Sequence, residues 1–146
     1  MLTVENVFKD KSLFSISGNV HLHEGASTAD LDNASPVNII QTDQNLYVHF
    51  VFTQSGWLSK MMNGRWQCRV FLELMGSGEA ANPAPTWINF VPVDGHTYSA
   101  VITIPRNTLR EGVYKVIATA HLDGVSGKPT PIAAYDEIGV LQVYND

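Results

Sequence analysis

Leu46-Tyr47-Val48-His49-Phe50-Val51-Phe52-Thr53 sets Leu46, Val48, Phe50 and Phe52 on one side of an extended chain and Tyr47, His49, Val51 and Thr53 on the other. Downstream, Trp66, Cys68, Val70, Leu72 and Leu74 alternate with Arg65, Gln67, Arg69, Phe71 and Glu73. A two-residue period of this kind predicts strands with one buried and one wetter face. The pattern extends in both directions. Phe14, Ile16, Gly18, Val20 and Leu22 oppose Ser15, Ser17, Asn19, His21 and His23, and Tyr98, Ala100, Ile102 and Ile104 form another face. Tyr114, Val116, Ala118, Ala120 and Leu122 follow, and the run from Ile132 to Tyr144 changes face near Gly139, which predicts a bulge.

Turn signals separate these runs: Ser55-Gly56, Asn63-Gly64, Gly76-Ser77-Gly78, Asp94-Gly95, Glu111-Gly112 and Asp123-Gly124. The expectation is one all-β domain over 1–146, an antiparallel sandwich of seven to nine strands. Residues 1–12 read as an N-terminal arm, and 24–36 and 54–65 as long surface loops. Within the second loop, Ser55 is placed to cap a short helical segment carrying Trp57, Leu58, Met61 and Met62, which would plug one end of the sandwich.

Ile104-Pro105-Arg106-Asn107-Thr108-Leu109-Arg110-Glu111-Gly112-Val113-Tyr114-Lys115-Val116-Ile117-Ala118 resembles the E–F corner and F strand of immunoglobulin-like and fibronectin type III-like domains. The resemblance implies that Tyr114 is the corner tyrosine, its hydroxyl bonded to upstream backbone. It also implies that Trp66 is the inward residue of the C strand and that 45–56 is the B strand. Val116 and the Val48/Phe50 pair stand where antibody domains carry the inter-sheet disulfide, so the likeness is to the disulfide-free variant. So widely shared a fold implies no particular activity.

Composition narrows the function classes. The chain has 146 residues, 45% hydrophobic and 16% charged, with a net charge of −5. It has enough apolar material for a core, and it lacks the basic stripe of a nucleic-acid binder. A single cysteine excludes an intramolecular disulfide and a zinc site of several thiolates. The first ten residues show neither the basic start nor the apolar stretch of a signal peptide, and no run is long enough to span a membrane. The expectation is a cytoplasmic protein without membrane contact, although a component of an exported machine without a cleaved signal would look the same.

Candidate chemistry is sparse. His21 and His23 lie two apart on one strand face, with His49 on a solvent-side position of the next, yet no recognisable ligand spacing completes a metal site. Asp30-Leu31-Asp32-Asn33 lacks the glycine and the closing glutamate of a calcium loop. Gly76-Ser77-Gly78-Glu79 reads as a turn, Cys68 as a buried thiol, and Glu73, Glu79, Asp136 and Glu137 as strand-end carboxylates. The pair Asp136-Glu137 reads as a charged strand edge that discourages sheet addition. No catalytic residue, cofactor or metal ligand is assigned. The favoured expectation is a non-catalytic interaction or assembly domain, bound to another protein or to a second copy through Arg69, Phe71, Lys115, Ile117 and Thr119 on an outer sheet face. The alternative is a carbohydrate-binding module stacking sugars on loop-borne Trp57 and Trp87.

Overall fold

The structure, a computed structural model, describes residues 1–5, 8, 10–25, 36–79 and 82–145. The expected loop 24–36 and the acidic Asp30–Asn33 stretch fall almost wholly outside the described residues. Among the described residues ten strand segments occur: β1 (Thr3–Glu5), β2 (Ser15–Gly25), β3 (Ile39–Gln41), β4 (Asn45–Ser55), β5 (Arg65–Leu74), the two-residue β6 (Gly78–Glu79), β7 (Thr86–Asn89), β8 (Thr97–Ile104), β9 (Gly112–Asp123) and β10 (Pro129–Tyr144). They form a small sheet in the order β2-β4-β8 and a larger one in the order β1-β10-β9-β5-β6, with β3 beside β10 and β7 beside β5. All pairs are antiparallel except β3–β10. This is an immunoglobulin-like sandwich, with β2-β4-β8 in the places of strands A, B and E and β5-β9-β10 in those of C, F and G.

The alternation places the core. Ile16, Val20, Leu22, Leu46, Val48, Phe50, Phe52, Ala100, Ile102 and Ile104 of the small sheet face Trp66, Cys68, Val70, Leu72, Val116, Ala118, Ala120 and Leu122 of the large one, all buried in one cluster. Phe52 meets Trp66 edge-on across the interior at 5.2 Å between ring centroids, and Tyr98 lies 5.1 Å from Phe52. Such aromatic pairs add about 0.5–1.5 kcal/mol beyond their buried area. Gly18 makes this packing feasible. It pairs with Phe52, and a Cβ there would lie 2.2 Å from the Val51 carbonyl oxygen.

Two local devices follow the sequence reading. The Tyr114 hydroxyl donates to the Arg110 carbonyl oxygen at 2.7 Å while the ring is buried, which is the corner arrangement. In β10 the register slips between Glu137 and Gly139. Inward residues are Ile132 and Ala134 before the slip and Leu141 and Val143 after it, and Gly139 takes the positive φ of +116° at the bulge.

Other expectations need correction. Within the expected N-terminal arm, Thr3–Glu5 form β1 and add a strand to β10. The segment 54–65 is not a long surface loop. β4 runs through Ser55, whose Oγ bonds Ser15 Oγ at 2.9 Å across the strands and caps nothing. A single 3-10 turn, Trp57–Lys60, follows Gly56 with no side-chain cap. Its Leu58, with Met62 beyond it, packs on the core, while Trp57 and Met61 point outward. Gln54 is buried, its Nε2 donating to the carbonyls of Val91 at 2.6 Å and Val93 at 2.7 Å, and its Oε1 accepting from Tyr98 at 2.6 Å. Asp136 is no edge charge either: β10 lies between β1 and β9, and its carboxylate is buried against the chain's amino terminus at 3.1 Å.

Tyr114→Phe should lower stability by about 1 kcal/mol, since it deletes one hydroxyl-to-carbonyl bond and keeps the ring. An unchanged unfolding midpoint in denaturant would contradict the corner role. Burial pushes the Cys68 thiol from 9.0 up to about 12. The folded value lies above the unfolded one, so this stabilisation is complete at neutral pH and is lost as pH rises from about 9 toward 12. A thiol reagent at neutral pH should therefore label Cys68 only as fast as the chain unfolds, and rapid labelling of native protein would contradict its place in the core.

Candidate interaction face

Burial of Trp66, Cys68, Val70 and Leu72 turns the intervening residues of β5 outward, and β9 does the same in register. Across the sheet, Arg69 stands opposite Thr119 and then Tyr135, and Phe71 opposite Ile117 and then Glu137. Glu73 stands opposite Lys115 and then Val140, and Gln67 opposite His121 and then Ala133. The five residues expected on an outer face are therefore brought together on one. The sequence reading did not include Gln67, Tyr135 or Trp87 in that contact set. Trp87 lies on β7, opposite Gln67, and is in a strand rather than a loop. Phe71 and Trp87 are each 40% exposed and Tyr135 44%.

The charges are arranged unevenly. Lys115 Nζ lies 3.0 Å from Glu137 Oε1, an exposed pair worth about 0–1 kcal/mol, so Lys115 is locally neutralised. The two arginines are held by neutral groups. Arg65 lies over the Trp87 ring, its Cζ 3.9 Å from the centroid. With the Gln67 amide oxygen toward Arg69, that oxygen accepts from Nε at 3.0 Å and Nη2 at 2.6 Å. Among the described residues no carboxylate lies within ion-pair distance of Arg65 or Arg69.

Between β5 and β10 the face dips into a groove of about 480 Å³, lined by Arg69, Phe71, Thr119, His121, Ala133 and Tyr135. At one end His121 Nε2 donates to the Thr130 carbonyl oxygen at 2.9 Å, and Nδ1 lies 3.6 Å from Asp123 Oδ1.

The remaining candidates do not form a second centre. Trp57 is 52% exposed on the turn after β4 of the small sheet, whereas Trp87 belongs to the large sheet, and no ring contact joins them. His49 is not on a solvent side: it is 4% exposed and His23 2%, with His49 Nε2 2.8 Å from Ser99 Oγ. Tyr47 on the same side is also buried. The His21 and His49 rings each lie 6.0 Å from that of His23. Among the described residues no group of three or more His, Cys, Asp or Glu is arranged to hold a metal. Glu73 and Glu79 pair in register across the hairpin that Gly76-Ser77 turns, away from Asp136.

No protein-family model matches the chain, and no curated protein matches it. Solved structures do. The C-terminal domain of Wzt aligns with a TM-score of 0.56 at 11% identity, covering 91% of this chain and 79% of that one. A β-glucosidase from Listeria innocua in complex with isofagomine aligns at 0.50 and 10% identity over 88% of this chain but only 16% of the enzyme. A CARDB domain from Pyrococcus furiosus, in complex with di-metal ions, aligns at 0.49 and 8% identity over 92% of this chain and 97% of that one. At these identities the likeness is one of fold: an immunoglobulin-like β-sandwich without a specific family.

Proposed function

We propose that this chain is a non-catalytic interaction domain whose contact surface is the outer face of β5, β9 and β10. One observation carries the reading. Phe71, Tyr135 and Trp87 are exposed beside two guanidiniums that no carboxylate of the described chain neutralises. Aromatics and arginine are the residue types that dominate protein contact surfaces. Covering the apolar part of this face would contribute roughly 25 cal/mol for each Å² removed from water.

Another protein is a better partner than a second copy. An isologous dimer places the same patch on both sides of a two-fold axis. With the two-fold axis passing through the Arg65/Arg69 side, pairing this face with itself would set like charge against like. The carbohydrate alternative needs flat aromatic faces open to a sugar ring. Arg65 occupies one face of Trp87, and Trp57 stands on the 3-10 turn that follows β4 of the other sheet.

The double variant Phe71→Ser/Ile117→Ser should fold with an unchanged near-ultraviolet dichroism spectrum and lose partners retained by the unaltered protein in pull-downs from native lysate. Sedimentation should give one monomer mass for both. If the two proteins capture the same partners, or if the unaltered protein sediments as a dimer that the variant cannot form, another surface or self-association replaces this reading.

A further inference from the structure

Resting on that reading of the face, we infer that the groove between β5 and β10 is a subsite for a carboxylate-bearing peptide segment of the partner. Arg69 takes an Asp or Glu side chain, and an apolar neighbour sits against Phe71 and Tyr135. Three observations converge on it. First, the Arg69 guanidinium is pre-set: Gln67 engages Nε and Nη2 and leaves further N–H donors unused, with no ionic partner among the described residues. A neutral clamp of this kind fixes the fork without cancelling its charge, which suits it to a carboxylate. Second, about 480 Å³ lies within the range of roughly 300–1,000 Å³ that takes a ligand of this size. The floor is Thr119 and Ala133, and the rims are aromatic. Third, of the other two cations on the face, Lys115 is already matched by Glu137 and Arg65 is stacked on Trp87, so the unmatched charge that borders the groove is that of Arg69.

A peptide fits better than an acidic sugar because the face continues past the groove, to Ile117 and Val140 at one end and across β5 to Trp87 at the other, and so extends the contact beyond the pocket. The main-chain and side-chain apolar groups of a peptide can cover that surface. A charged ring alone would leave it wet.

The test uses the intact protein and three probes: acetyl-Glu-Asp-Phe-Glu-Asp-amide, its neutral counterpart acetyl-Gln-Asn-Phe-Gln-Asn-amide, and trigalacturonate. Heteronuclear NMR titration should show saturable shifts for the acidic peptide centred on Arg69, Thr119, His121 and Tyr135. Arg69→Gln should weaken it about tenfold, the value of one charge-assisted hydrogen bond. Arg69→Lys should not restore it, and affinity should fall as salt rises. Equal binding of the neutral peptide, shifts centred elsewhere, or preferential binding of trigalacturonate would each overturn the inference. If Phe71→Ser/Ile117→Ser abolishes partner capture and the acidic peptide does not bind, the contact face stands and the carboxylate subsite falls. If the peptide binds in the groove and partner capture is unaltered, the subsite stands and the wider face falls.

Discussion

The contact of Phe52 with Trp66 across the interior is the constraint from which the rest of this structure follows. It joins the second strand of the small sheet to the central region of the large one, and Tyr98 closes the cluster from β8. Because strand side chains alternate strictly, sending Trp66 inward sends Arg65, Gln67, Arg69 and Phe71 outward in a line. The core and the candidate face are thus two sides of one strand. A one-residue slip of β5 would bury both guanidiniums and expose Trp66, so register is strongly selected. Gly18 serves the same contact from the opposite strand, since any side chain there would meet the backbone beside Phe52.

Charge placement gives the face its character. The chain carries a net charge of −5, yet two arginines stand together on one sheet, held among the described residues by an indole ring and an amide. Guanidinium held in this way keeps both its charge and its orientation. The neighbouring Lys115–Glu137 pair shows the ordinary alternative, in which a surface cation finds a carboxylate and contributes little. The difference between these two arrangements, four residues apart in register, makes the β5 side of the face the directional part of the surface.

Polar groups inside the fold are placed by tertiary contacts that no local pattern contains. Gln54 stands on the inward side at the end of β4 and bonds the carbonyls of Val91 and Val93 and the hydroxyl of Tyr98. One amide thereby ties a connection lacking strand partners of its own to the core. His23 and His49 read as wet from alternation alone, because period two assigns faces without saying what lies over them. Both are buried on the outer side of the small sheet. The same limit misplaced Asp136. A charged pair looks like a strand edge in sequence, but β1 and β9 flank β10 and the carboxylate is covered.

The sequence by itself determined the long strands, the core-facing sides of β4, β5 and β9 and the bulge at Gly139, and its resemblance to immunoglobulin-like domains implied the hydroxyl contact of Tyr114. Each of these depends on residues close in the chain: side-chain period, turn chemistry, or a bond reaching four residues back. Arg69, Phe71, Lys115, Ile117 and Thr119 could share a face on paper once β5 and β9 were taken as neighbours, and the register made them do so. Only the tertiary structure decided that Tyr135 and Trp87 join them, that Glu137 cancels Lys115, and that Gln67 clamps Arg69. Those outcomes depend on which strands lie beside β5 and β9 and on where each side chain ends. Strand order and side-chain packing are set by the closure of the whole sandwich, which no window along the chain encodes.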